Sequence, residues 1–121
     1  MHRILAGSDV VVVPSRLEPG GLVQMYAQRY GTLPVVRNTG GLRDTVVDLV
    51  AQPDGTGFVF HEPRADALVD TLARALRMRP SPAGKPRSVR AMGLDRSWAR
   101  SAKRRRGPRR TPAPRPRFHV I

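Results

Sequence analysis

Residues 9–22 read Asp9-Val10-Val11-Val12-Val13-Pro14-Ser15-Arg16-Leu17-Glu18-Pro19-Gly20-Gly21-Leu22, and this stretch decides the fold. Four consecutive valines stopped by Pro14 suit a strand buried on both faces of a parallel sheet, where neither side of the strand meets water. Ser15–Gly21 is a loop by composition, with Pro19 and a Gly-Gly pair breaking any periodicity. Leu22, Met25, Tyr26 and Tyr30 then recur at helical spacing, and Gly31 stands where a C-terminal cap glycine belongs. Leu33–Arg37 is a second short β-branched run, closed by the turn signal Asn38-Thr39-Gly40-Gly41. Strand, loop, helix, strand in that order predicts a parallel βαβ unit with a right-handed crossover.

Working outward, Met1–Gly7 reads as the end of a helix, with Gly7 at its stop. Leu42–Val50 fits a short helix and an extended chain equally. Asp54–Gly57 is a turn and Phe58–Phe60 a short strand. Arg64–Met78 predicts an amphipathic helix with Ala65, Leu68, Val69, Leu72 and Leu76 on one face and Pro63 near its start. From Arg79 the hydrophobic pattern fails. Ser81–Arg90 is a Pro/Gly/basic linker, Ala91–Ala102 a short helix candidate holding the single tryptophan, Trp98, and Lys103–Arg117 low-complexity Arg/Pro sequence. The expected organisation is therefore an α/β unit over residues 1–78 and a disordered basic linker and tail over residues 79–121, since the latter buries too little apolar surface to offset chain entropy.

Charge divides the chain at the same place. Residues 1–78 carry eight arginines and eight acids, whereas residues 79–121 carry fourteen Lys/Arg against Asp95 alone, so the whole net charge of +13 sits in the tail. Such a stretch predicts non-specific, salt-dependent binding to polyanions, and it opens an alternative reading of the protein as a nucleic-acid binder acting through its arginines. No aromatic residue interrupts Lys103–Arg117, which argues against base stacking. The chain has no cysteine, and His2, His61 and His119 lack ligand-like spacing, so neither a metal nor another cofactor is expected. The Val10–Val13 run is too short to span a bilayer or to serve as a signal peptide, so no membrane partner is expected and a cytoplasmic location is the default.

The loop at Ser15–Gly21 is the place where chemistry is expected. Ligands of open α/β sheets bind outside the carboxyl ends of the strands. A helix start there offers unpaired backbone N–H groups and a partial positive charge, which suit a diphosphate. Glycines let the backbone approach phosphate oxygens, and Glu18 is placed to accept hydrogen bonds from sugar hydroxyls. The residues alone leave a plainer reading open, in which Gly20-Gly21 is a turn, Glu18 a solvated charge, and Met25 and Tyr26 core. Thr39-Gly40-Gly41 is equally a second approach to a ligand or a tight turn, and Arg16, Arg37 and Arg43 are either phosphate contacts or surface charges.

Taken together, these blocks resemble the bacterial glycogen synthase and plant starch synthase family. Pro14-Ser15-Arg16-Leu17-Glu18-Pro19-Gly20-Gly21-Leu22 is similar to a family loop that usually reads PSRFEPCGL. Tyr30-Gly31-Thr32-Leu33-Pro34 matches its YGTLP, and Thr39-Gly40-Gly41-Leu42 with Asp44-Thr45-Val46 and Asp48 matches its TGGLxDTVxD. The resemblance implies a partial Rossmann-like sheet, part of the C-terminal domain of a two-domain GT-B glycosyltransferase. It implies retaining transfer of glucose from ADP-glucose to the non-reducing end of an α-1,4-glucan. Glu18 takes the place of the loop glutamate that contacts the donor sugar. Gly20, Gly21, Leu22 and Val23 take the place of the backbone that receives the diphosphate, and Tyr26 falls near the ribose. Gly20 replaces the usual cysteine, which is expected to leave the loop more mobile. The family's N-terminal domain, with its Lys-x-Gly-Gly loop, and the earlier part of its C-terminal domain have no counterpart in these residues. The fragment alone is therefore expected to be inactive, and the abrupt change beyond Lys103 is what a frameshifted gene end produces.

Overall fold

The computed structural model describes residues 1–78, 89–95, 97 and 99–100. Its elements are α1 (His2–Ala6), β1 (Val10–Val13), α2 (Val23–Arg29), β2 (Leu33–Arg37), α3 (Gly40–Thr45), β3 (Phe58–Phe60) and α4 (Ala65–Met78). The three strands form one sheet in the order β1-β2-β3. Val10 pairs with Leu33 and Val13 with Val36, both in parallel, and Val35 to Arg37 run parallel to Phe58 to Phe60. The parallel α/β arrangement expected from the sequence is the one observed. The stretch with two readings, Leu42–Val50, resolves into the end of α3, then extended chain that makes one parallel bridge between Asp48 and Gly57.

The strands differ in burial from expectation. Val10–Val13 is not buried on both faces, and Val12 is 38% exposed. The strand with that environment is β2, whose Leu33, Pro34, Val35 and Val36 are all buried. The reason is cover as well as position: among the described residues β2 has a strand on each side, whereas β1 pairs with β2 alone, and β3 at the other edge is buried because α4 lies over it. On one face of the sheet Leu33, Val35, Phe58 and Phe60 cluster with Leu49 and with Ala75 of α4, and on the other Val36 and Val59 cluster with Val46 and with Leu42 of α3.

The buried face of α2 differs from the one its large apolar residues suggest, and that of α4 keeps the predicted Leu68 and Leu72 but is turned away from Val69 and Leu76. In α4 the packed positions are Ala67, Leu68, Thr71, Leu72, Ala75 and Met78, while Val69 and Leu76 are exposed. Small Thr71 and Ala75 let the helix lie close to the phenylalanines of β3, and the Thr71 hydroxyl is satisfied by the Ala67 carbonyl at 2.9 Å. In α2 the buried residues are Gln24, Ala27 and Gln28, whereas Leu22, Tyr26 and Tyr30 are exposed. Tyr26 and Tyr30 instead face α1, where His2 lies edge-on to Tyr26 at 5.6 Å between ring centres and 3.3 Å from the Tyr30 hydroxyl. The end of α2 follows the sequence reading: Gly31 N–H bonds the Gln28 carbonyl and Thr32 N–H that of Ala27, a Schellman closure with Gly31 at positive φ.

A described segment lies within the stretch expected to be tail. Residues 89–92 form one helical turn, and Ala91 is buried in the cluster formed by Leu33, Val35, Phe58 and Phe60. Arg29 donates to the Met92 carbonyl at 3.1 Å and Arg90 to that of Pro53. At this point the core draws on a residue beyond 78. Trp98 and residues 101–121, which include most of the Arg/Pro sequence, lie outside the described residues.

Candidate functional site

The site is built where β1 and β2 end. Pro14 stops β1, and the chain runs through Ser15–Leu22 before α2 starts at Val23. β2 ends at Arg37 and leads through Thr39 into α3. These two loops lie against each other backbone to backbone. Gly41 N–H donates to the Glu18 carbonyl at 2.9 Å. A Cβ on Gly40 would stand 1.9 Å from that same carbonyl oxygen, and one on Gly41 would stand 2.2 Å from the Gly20 oxygen. Gly40 also has φ of +47°, in the left-handed region. Neither reading of Thr39-Gly40-Gly41, an approach to a ligand or a tight turn, anticipated this contact: the backbone approached is that of the Glu18 loop.

Four further side chains tie the two loops together and to their surroundings. The Gln24 side chain is fully buried, and its Nε2 donates to the Gly21 carbonyl at 2.8 Å, to the Thr45 hydroxyl oxygen at 3.0 Å and, more distantly, to the Gly20 carbonyl at 3.4 Å. Thr45 in turn donates to the Gly41 carbonyl at 2.7 Å, so one short chain of hydrogen bonds joins both loops. One turn along α2, Gln28 Nε2 reaches the Thr45 carbonyl at 3.3 Å and the Thr56 hydroxyl at 3.2 Å. Arg37 donates through Nε to the Ser15 carbonyl at 3.1 Å and through Nη2 to that of Arg16. Its guanidinium is thus engaged with the loop backbone. Arg43 lies beside Asp44 on the surface, at 3.8 Å.

The predicted site residues divide accordingly. Glu18, Gly20 and Gly21 come together with Gly40 and Gly41 in one assembly. Glu18 is half-buried and accepts from the Ser15 hydroxyl at 3.3 Å. Gly21 has φ of +65°, and the place of its missing Cβ is 3.0 Å from Glu18 Cγ and 2.9 Å from Gln24 Oε1. Gly20 faces open space, with nothing within 4 Å of the position of a Cβ. Leu22, the N-cap of α2, and Val23, its first residue, are exposed. Tyr26 stands farther along the helix against His2. Gln24, Gln28, Thr45 and the loop-holding role of Arg37 are what the sequence reading missed. The signal was present: two glutamines four apart, interleaved with apolar residues, place two amides on one helical face.

The arrangement offers a shallow surface rather than an enclosed pocket. Next to Pro14, Arg16 and Arg37 there is a hollow of about 130 Å³ on the α4 side, below the several hundred Å³ of a typical small-molecule cleft. Among the described residues no group of three or more His, Cys, Asp or Glu is placed to hold a metal, and no helix is long and apolar enough to cross a membrane.

Residues 1–89 match the profile of the family described as "Glycosyl transferases group 1". A glycogen synthase from Thioalkalivibrio sulfidiphilus is 55% identical over 106 residues, and one from Yersinia pestis is 51% identical; each match covers 84% of this chain and 22% of the relative. The chain thus spans about a fifth of the length of these relatives, and the match runs past residue 78. Among solved structures, the catalytic domain of starch synthase IV from Arabidopsis thaliana, bound to ADP and acarbose, superposes with a TM-score of 0.78 at 34% identity. It covers 84% of this chain and 22% of that one. A sucrose-phosphate synthase from Thermosynechococcus elongatus superposes with a TM-score of 0.62 at 31% identity, covering 84% and 25%.

Proposed function

Because the chain belongs to the group 1 glycosyl transferases, we propose that residues 1–78 are part of the donor-binding domain of a GT-B glycogen or starch synthase. The reaction is retaining transfer of glucose from ADP-glucose to the non-reducing end of an α-1,4-glucan, in the cytoplasm. The observation that carries this reading is the docking of the Glu18 loop on Gly40-Gly41 at the carboxyl ends of two parallel strands, the place where open α/β sheets take ligands. In it Glu18 contacts the donor sugar, the backbone of Gly20, Gly21, Leu22 and Val23 receives the diphosphate, and Tyr26 lies toward the ribose. A retaining transfer without a metal has to balance the leaving diphosphate with fixed cations and backbone dipoles. This loop supplies the dipoles, and the Arg37 guanidinium beside it is committed to holding the loop itself. The basic stretch 79–121 adds salt-dependent attraction to polyanions, from charge alone.

The test is a chimera in which residues 1–78 replace their counterpart in the Thioalkalivibrio sulfidiphilus glycogen synthase. Glucose transfer from ADP-glucose is expected to survive the exchange. Glu18→Ala within it is expected to lower kcat/KM by on the order of 100-fold, the scale of one lost transition-state contact. A folded chimera with no transfer, or one indifferent to Glu18→Ala, refutes the assignment.

A further inference from the structure

The donor loop keeps its carbonyl oxygens on the inside. The Glu18 oxygen accepts from Gly41 N–H, the Gly20 oxygen lies against the Gly41 backbone, and the Gly21 oxygen accepts from Gln24. No described peptide bond is cis. In a trans peptide the C=O of one residue and the N–H of the next point in opposite directions. Turning the Gly20 and Gly21 carbonyls inward therefore turns the N–H groups of Gly21 and Leu22 outward, and neither of them donates to a backbone acceptor among the described residues. One buried amide holds the second of these planes directly, reaches toward the first, and is tied through Thr45 to Gly41. That amide has its own irregularity: Gln24 Oε1 is buried and has no hydrogen-bond partner among the described residues. A side chain valued only for packing at this position carries no amide, since an unsatisfied buried acceptor is costly and is avoided in ordinary cores.

We propose that Gln24 is a positioning residue that fixes the Gly20–Gly21 and Gly21–Leu22 peptide planes, so that the loop presents two outward N–H groups to the diphosphate of the donor. The purpose of the outward groups rests on the functional reading above, whereas the setting of the planes does not. Gln24 touches no substrate in this scheme. It acts through the loop, from inside the helix, and the missing Cβ of Gly21 is what allows its amide to lie across from the stem of Glu18.

The experiment is nuclear magnetic resonance on the full 121-residue chain, with ADP as probe. In the unmodified chain a coupling across the hydrogen bond from Gln24 Nε2 to the Gly21 carbonyl is expected, and its absence overturns the proposal without recourse to any variant. Gln24→Met keeps the volume and removes the donor. It is expected to retain dispersed core resonances at Val35 and Phe58 while the Gly21 and Leu22 N–H dipolar couplings change. Millimolar ADP is expected to shift the Gly21 and Leu22 amides of the unmodified chain, with affinity about 2- to 10-fold lower in Gln24→Met, the factor given by one neutral hydrogen bond. Changed couplings with no ADP response in either chain uphold the positioning of the planes and sink the donor reading. Equal ADP responses with unchanged couplings sink the role of Gln24 and leave the donor reading standing.

Discussion

Gly40→Ala is the substitution whose cost the structure specifies most fully. The residue has φ of +47°, and a side chain in that region costs roughly 1–2 kcal/mol over glycine. Its new Cβ would lie 1.9 Å from the Glu18 carbonyl oxygen and 2.8 Å from the carbonyl carbon, separations that real Cβ atoms essentially never show. The Glu18 loop has to retreat by more than an ångström. That movement strains a packed junction, at about 1–3 kcal/mol, and breaks the 2.9 Å bond from Gly41 N–H, worth about 0.5–1.5 kcal/mol. Together these give a loss of about 3–6 kcal/mol. A single core of this size supplies only about 3–5 kcal/mol of stability, so Gly40→Ala is expected to abolish cooperative unfolding. Gly20→Ala, with nothing within 4 Å of its Cβ, is expected to stay within about 0.5 kcal/mol of the unmodified chain. Urea and thermal unfolding followed by far-UV circular dichroism measure both, at about 4–8 °C per kcal/mol for a domain of this length. If Gly40→Ala unfolds within about 1 kcal/mol of the parent, the two loops are not docked through their glycines and the site geometry argued above is wrong.

The purified chain is expected to transfer no radiolabelled glucose from ADP-glucose to glycogen beside an active full-length synthase, since it corresponds to 22% of its relatives; incorporation that disappears in Glu18→Ala overturns this. The basic stretch is expected to bind heparin, DNA and polyphosphate alike, with affinity falling log-linearly as salt rises; selectivity for one nucleic-acid sequence at high salt contradicts a purely electrostatic origin. The half-exposed β1, which pairs only with β2 among the described residues, is expected to make the chain self-associate, and Val12→Lys to reduce that association in light scattering at little cost in stability. Unchanged association locates the sticky surface elsewhere.

The β-branched runs made the parallel unit legible, because a strand needs only local pattern and a parallel crossover follows from connection length. What local pattern does not carry is which strand lies at the edge. Val10–Val13 is more uniformly apolar than Leu33–Arg37, yet β2 is the buried strand, because burial is set by neighbours that each strand meets through tertiary structure. The helix faces were misread for a related reason. Apolar periodicity selected Leu22, Met25, Tyr26 and Tyr30, but the part of the buried surface that Gln24 and Gln28 meet is made of loop carbonyls and threonine hydroxyls. Those groups need donors, and glutamine supplies them where leucine does not. In α4 the same logic runs through size, since Thr71 and Ala75 permit a close approach that Val69 and Leu76 would prevent.

The glycines of the site separate motif from mechanism. Gly20, Gly21, Gly40 and Gly41 look equivalent in a sequence, as small residues near a phosphate-like loop. Their missing side chains face different things. At Gly20 the vacancy faces open space, so the cysteine usual at this place in the resembled family has room, and the departure from that pattern need not disturb the packing of the loop. At Gly40 and Gly41 the vacancy is filled by the carbonyls of Glu18 and Gly20, and at Gly21 by Gln24 and the stem of Glu18. Three of the four glycines therefore serve contact within the protein, and only one leaves its side-chain space to solvent or ligand. The glycine-rich character of the loop follows first from packing one backbone on another. The outward N–H groups that the proposal assigns to the donor follow from that packing, since carbonyls drawn inward leave the following amides on the open side.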